Sequence, residues 1–238
     1  MIWPWRICFS VLLGMALHAA TVSGLVELQN SHEPAVSKKM DYSGVVVWLE
    51  PVDAAPSKVV APKRALMAQK NKTFTPHVLA IPVGSTIEFP NFDPIFHNAF
   101  SNYNGQLFDV GLYPPGTTRS VHFTRPGVVR VFCNIHASMS ALIVVLSTPY
   151  YATSRADGQF TILDVPPGEY QLKVHHERAS AATLDHLSTR ITVGAGAVML
   201  PRITISESGY LPIPHLNKYG RSYSPAPDDG GLYPGVRK

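Results

Sequence analysis

Short runs in which apolar and polar positions alternate, or stay apolar throughout, recur along most of the chain and predict strands rather than helices. Ser43 to Glu50 is a strand of this kind, and Val78 to Val83 runs through Gly84-Ser85 into the alternating Thr86-Ile87-Glu88-Phe89. Arg119 to Phe123 alternates again, while Val128 to Cys133 and Ala141 to Leu146 are apolar enough to be covered on both faces. Turn signals separate them at Asn104-Gly105, Pro114-Pro115-Gly116 and Arg125-Pro126-Gly127. Short strands at this spacing from Ala65 to Leu146 predict an antiparallel sandwich or barrel.

A second β pattern occupies residues 148–206. Asp157-Gly158 lies between two strand-like runs, Tyr170-Gln171-Leu172-Lys173-Val174 alternates, and Ile191 to Val193 and Met199 to Ile205 read as closing strands. Residues 177–186 suit a helical turn or a loop. The pattern thus divides the chain into a β module at 43–147, a smaller one at 148–206, and a tail at 207–238 without periodicity that is expected to be disordered or extended. Residues 25–42, polar and mixed with Pro34 and Lys38-Lys39, read as a linker.

The first 24 residues have the form of an export signal. Arg6 supplies a short positive region, Ile7 to Ala20 is almost unbroken apolar sequence, and small residues follow, which places cleavage between Ala20 and Leu25. The apolar run is shorter than the roughly 20 residues a membrane span needs. The expectation is a periplasmic or otherwise exported protein with no stable membrane span after cleavage.

Composition sharpens this picture in two ways. The 21 prolines and 17 glycines among 238 residues favour many short strands joined by turns. The formal net charge of +4 is spread without a Lys/Arg block, which argues against a nucleic-acid partner.

Candidate chemistry gathers around Cys133. Cys8 falls inside the leader, so Cys133 would be the only thiol of the mature chain, and in an oxidising compartment a lone thiol has no internal disulfide partner. It opens the spacing Cys133-x2-His136-x2-Met139 between two apolar strands, with His97 upstream in Phe96-His97-Asn98. One thiolate, two imidazoles and a weak axial thioether suit both oxidation states of a mononuclear electron-transfer copper ion. Asn98 could cross-bond the two ligand loops. His77 and His122 lie in strand patterns and are expected at or near the surface. His175-His176 are neighbours on a strand and so point to opposite faces.

At these residues the chain resembles the cupredoxin family, and its ligand loop is most similar to the amicyanin type. Pro94-Ile95-Phe96-His97-Asn98, the lead-in Ser120 to Gly127, Phe74-x-Pro76 with Val83-Gly84-Ser85, and the short His136-x2-Met139 gap carry the resemblance. Plastocyanin-type loops place the Met two residues further on. The resemblance covers roughly Ala65 to Leu146. It implies an all-β fold with a Greek-key β-sandwich, one copper ion on His97, Cys133, His136 and Met139, and single-electron transfer rather than catalysis. It further implies a transient redox partner such as a dehydrogenase or cytochrome, and the amicyanin-like loop adds a link to amine oxidation. Arg155 to Ile162 with Val165 to Val174 resembles the carboxypeptidase-regulatory-like (transthyretin-like) sandwich, a structural module without chemistry of its own.

That second resemblance lacks its usual first strand after Ser147, and Gly44-Val45-Val46-Val47-Trp48-Leu49 would supply it. The copper module would then be inserted into the second sandwich; otherwise the strand belongs to the copper module. Two other functions compete with electron transfer: copper delivery or storage, and a metal-free adhesion module.

Overall fold

The strand Ser140–Leu146 faces two cores at once. The computed structural model describes residues 19–53, 61–102, 105–212 and 214–223. In it, Ala141, Ile143 and Val145 enter one core while Leu142, Val144 and Leu146 enter another. The strand Val46–Pro51 does the same, with Val47 and Leu49 in a third core and Val46 meeting Leu142, Val144 and Leu146. Side chains alternate across a strand, so a continuous apolar run is what burial on both faces requires. The shared seam, flanked by Trp48, Val78, Ala80 and Tyr151, joins two β modules.

The inner module is a sandwich. A five-stranded sheet runs in the order Val78–Pro82, Ser140–Leu146, Gly127–Phe132, Phe100–Ser101, Phe108–Asp109. A three-stranded sheet orders Thr118–His122, Thr86–Pro90 and Arg64–Leu66. Ile87 and Phe89 from one sheet meet Val129, Val131, Ile143 and Val145 from the other, and Phe123, Tyr113, Met139 and Cys133 close the same core.

The outer module is also built of two sheets. Tyr151–Thr153, Val46–Pro51, Gly168–His175 and Thr189–Val193 form one. In the other, Ala20–Gln29 pairs antiparallel with Gln159–Val165 and parallel with Ala197–Met199 and Ile203–Ser206. Val22, Val26, Leu49, Phe160, Ile162, Leu172 and Ile205 share their core. Gly158, at φ +78° in the Asp157-Gly158 turn, lies so close to the Val26 carbonyl that a Cβ would not fit. Strands make up 46% of the described residues and helix 6%, the all-β class expected.

Val46–Pro51 pairs with Tyr151–Thr153 and Gly168–His175, all strands of the outer module. Residues 61–146 therefore leave and re-enter the outer sandwich between two of its adjacent strands, and the inner module does not begin at 43.

Two boundaries at the N-terminal end also move. Most of the expected leader, residues 1–18 with Cys8, lies outside the described residues. The alternating Ala20–Gln29 buries Ala20, Val22, Val26 and Leu28, so a cleavage between Ala20 and Leu25 would cut a core strand. Residues 25–42 are not a plain linker either. They finish that strand and add the helical turn Pro34–Ser37, which buries Val36. Residues 177–186 overlap a second short helix, Ala181–Leu187, whose N-cap Ser180 accepts the Thr183 amide. Of the tail, residues 207–212 and 214–223 are described, and Glu207, His215, Lys218 and Tyr223 contact the rest of the protein; 224–238 are outside the described residues.

Candidate metal centre

Antiparallel pairing of Gly127–Phe132 with Ser140–Leu146, ending at Phe132 opposite Ser140, leaves Cys133 to Met139 as the connecting loop. Two hydrogen bonds tighten it: the Cys133 amide donates to the Met139 carbonyl at 3.1 Å, and the Met139 amide to the His136 carbonyl at 3.1 Å. The loop buries the side chains of Cys133 and Met139 in the inner core and leaves His136 partly exposed.

His97 lies in the segment between Thr86–Pro90 of the three-stranded sheet and Phe100–Ser101 of the five-stranded one. Its backbone exchanges two hydrogen bonds with Tyr113, at 3.1 and 2.9 Å, and its side chain is fully buried. The ring is turned by Asp93, whose Oδ2 accepts from Nε2 at 2.8 Å, so that in the neutral ring Nδ1 carries the lone pair. Nδ1 lies 3.8 Å from Cys133 Sγ, and His136 Nδ1 lies 3.5 Å from the same sulfur. The three ligand atoms are all within 4.8 Å of one another.

Electrostatics keep the nitrogens available. Burial holds both imidazoles below the usual histidine range, His136 down to about 4, where His97 and Lys72 also oppose a charge on the ring. Burial also pushes the Cys133 thiol up, against backbone amides of Ile135, Asn98 and His136 that point at the sulfur. Burial favours a protonated Asp93, but the Lys72 amide, His97 and the Asn71 amide outweigh it and hold the carboxyl below its ordinary range. A metal cation would displace the thiol proton and gain three amide dipoles already aimed at the thiolate.

The two sulfur–nitrogen separations suit a metal ion. With metal–sulfur and metal–nitrogen bonds of about 2.3 and 2.0 Å, an angle of about 110–120° separates S from N by about 3.5–3.7 Å. The observed separations are 3.5 and 3.8 Å. Met139 is buried in the same core beside Cys133, where a thioether can serve as a further ligand.

Asn98 does not bridge the loops through its side chain. Its Nδ2 donates instead to Asp109 Oδ1 at 2.7 Å and to the Gly111 carbonyl at 3.0 Å; the crossing to Cys133 is made by its backbone amide. His77 and His122 are exposed. His176 is buried against Glu207 at 2.8 Å, and neither it nor His175 joins the cluster.

Several residues around the centre carried no role in the sequence. Asp93 orients His97, and Asn91 holds the turn by donating to the Ile95 carbonyl and accepting the Asp93 amide. Buried Gln69 donates to the Asn98 carbonyl. Asn91-Phe92-Asp93-Pro94 is an Asx-turn signature, the one signal that could have singled out Asp93.

No protein-family model matches this chain, and no curated protein matches it. Among solved structures, it is similar to a purple cupredoxin from Nitrosopumilus maritimus at 28% identity, over 34% of this chain and 96% of that one, with a TM-score of 0.31. A Cu-containing nitrite reductase from Thermus scotoductus SA-01 is 26% identical over 51% of this chain, which spans 28% of that protein's length, at a TM-score of 0.34. The P94F mutant of amicyanin is 19% identical over 34% of this chain and 81% of that one, at a TM-score of 0.32. Among the described residues no helix is long and apolar enough to cross a membrane.

Proposed function

We propose that this chain is an exported single-electron carrier of the cupredoxin type. It would hold one copper ion on His97, Cys133, His136 and Met139. The observation that carries the reading is the convergence of two neutral imidazole Nδ1 atoms on one buried sulfur at 3.5 and 3.8 Å. A thiolate, two imidazoles and a thioether favour copper over harder cations. Copper, when bound, supplies a one-electron couple.

The chain's own residues do the rest. Asp93 fixes the tautomer and tilt of His97. The amides of Asn98, Ile135 and His136 stabilise the thiolate. Burial of Cys133, His97 and Met139 excludes water and limits rearrangement on electron gain or loss. Four protein ligands leave no coordination position for a substrate, so the site is a carrier and not an enzyme.

His136 is the partly exposed member of the cluster, between half-buried Ile135 and exposed Ala137. It is the exit for the electron toward a dehydrogenase or cytochrome in a small, transient encounter. The amicyanin-like spacing of the loop favours a partner that oxidises amines. Single-turnover voltammetry of the copper-loaded protein tests the carrier reading. A reversible one-electron wave is expected; tight copper binding without reversible cycling would replace it with copper delivery or storage.

A further inference from the structure

The segment after Ile203–Ser206 has no hydrophobic period, yet it is fixed at one end and reaches the metal centre at the other. Its anchor is Glu207, almost fully buried, which accepts from Ser31 Oγ at 2.6 Å, His176 Nε2 at 2.8 Å and Arg178 Nε at 2.9 Å. From there the chain crosses to the inner module. The His215 ring stacks on Phe132 with centroids 4.1 Å apart, and Tyr223 meets His215 edge-on at 5.1 Å.

Between them lies a tight turn. Asn217 Oδ1 accepts the amides of Tyr219 and Arg221, and Gly220 sits at φ +71°. The turn presents Lys218, whose amide donates to Asn134 Oδ1 at 3.0 Å and whose Nζ lies 2.7 Å from Asp109 Oδ2. The other Asp109 oxygen accepts from Asn98 Nδ2, next to His97. Tyr223 Oη donates to the Cys133 carbonyl at 2.7 Å.

These contacts fall on Phe132, Cys133 and Asn134, where the ligand loop begins, and through Asp109 on the residue that follows His97. Cys133 is fully buried, and a buried carbonyl that loses its hydrogen bond carries a desolvation cost. Its amide is already committed to Met139 and its carbonyl to Tyr223, so the backbone of the sulfur-bearing residue is held at both ends. An exposed lysine–carboxylate pair alone would contribute little. Lys218 differs because its carboxylate partner also holds Asn98.

We propose that residues 215–223 form a clamp on the metal centre, with Tyr223 and Lys218 as positioning residues that hold Cys133 and tie the His97 and Cys133 loops together. Its effect on copper rests on the function proposed above; its effect on the Cys133 thiol rests on the geometry alone.

Full-length Tyr223→Phe keeps the ring against His215 and removes the hydroxyl. Lys218→Met keeps the stem and removes the charge. Leu211→Ala, at an exposed tail residue outside 215–223, is the control. In metal-free protein the rate of Cys133 carbamidomethylation by iodoacetamide, read by peptide mass spectrometry, should rise roughly 10-fold in Tyr223→Phe. It should also rise in Lys218→Met and stay at the wild-type value in Leu211→Ala. In copper-loaded protein, chelator extraction should be roughly 10-fold faster and the thiolate-to-copper band should shift, with circular dichroism unchanged. Wild-type alkylation rates in both Tyr223→Phe and Lys218→Met would overturn the clamp. A wild-type protein that takes no copper would overturn the carrier reading instead, and the alkylation rates would still decide the clamp. Should Tyr223→Phe fail to fold, Lys218→Met decides it.

Discussion

His97 gives its Nε2 hydrogen bond to Asp93 at 2.8 Å, and both side chains are buried. That one contact decides which imidazole nitrogen faces Cys133. Asp93 is itself held by the Asn71 amide at 2.6 Å and the Lys72 amide at 2.9 Å, so the ring is oriented by a carboxylate that cannot swing away.

Asp93→Asn keeps the shape but removes the charge and one of the acceptors that these three donors share. Metal affinity should fall roughly 10–100-fold, the usual effect of losing a partner behind a ligating histidine. Competition against a chelator of known affinity measures it. Unchanged affinity would mean that the pairing of Asp93 with His97 does not position the ring.

The junction between the modules carries a pH dependence of its own. His77 Nε2 lies 2.9 Å from Glu177 Oε2, and its Nδ1 lies 3.1 Å from the Ser140 carbonyl. Only the imidazolium can donate from both nitrogens. The Glu177 hydrogen bond accordingly raises His77 above the usual 6.5, against partial desolvation of the ring, and Glu177 itself is held low against burial by His77. A raised histidine stabilises below its unfolded value and loses that stabilisation as pH rises through the folded one. A lowered carboxylate loses its stabilisation as pH falls below about 4.5. The contribution of the pair should therefore be greatest between about pH 4.5 and 6.5 and fade above it. His77→Gln should flatten the decline above pH 6.5 in urea denaturation midpoints; an unaltered slope would remove His77 from the account.

The seam between the modules should be stability-limiting. Leu142 is 2% exposed among Val46, Val144 and Leu146, so Leu142→Ala should cost about 2–5 kcal/mol. Leu163, 62% exposed, offers the contrast: Leu163→Ala should change stability by no more than about 0.5 kcal/mol. Equilibrium urea unfolding compares the two. Equal effects would contradict the burial of Leu142 in a shared core.

How much of this was legible along the chain follows from what each feature depends on. The strands around Cys133 were plain because burial on both faces leaves an unbroken apolar run, as in Ala141 to Leu146. Cys133, His136 and Met139 could be read together as candidate ligands because they share one loop. Ala20–Gln29 escaped because its alternation adjoins the apolar leader and its small residues resemble a cleavage site. The role of Asp93 depends on a turn that returns it to His97, and in sequence it differs little from any turn aspartate. The contacts of His215, Lys218 and Tyr223 obey no period at all, because they are made to single atoms of distant residues. Asn98 shows the opposite error: the right residue, with its backbone amide doing what its side chain was expected to do.

The central claim is that Cys133 Sγ and the Nδ1 atoms of His97 and His136 hold copper. The visible absorption spectrum of the copper-loaded protein, beside that of Cys133→Ser, tests it most directly. An intense thiolate-to-copper band at one copper per chain, abolished in Cys133→Ser, is the expected result. A protein that stays colourless with copper, or a band that survives in Cys133→Ser, would contradict it.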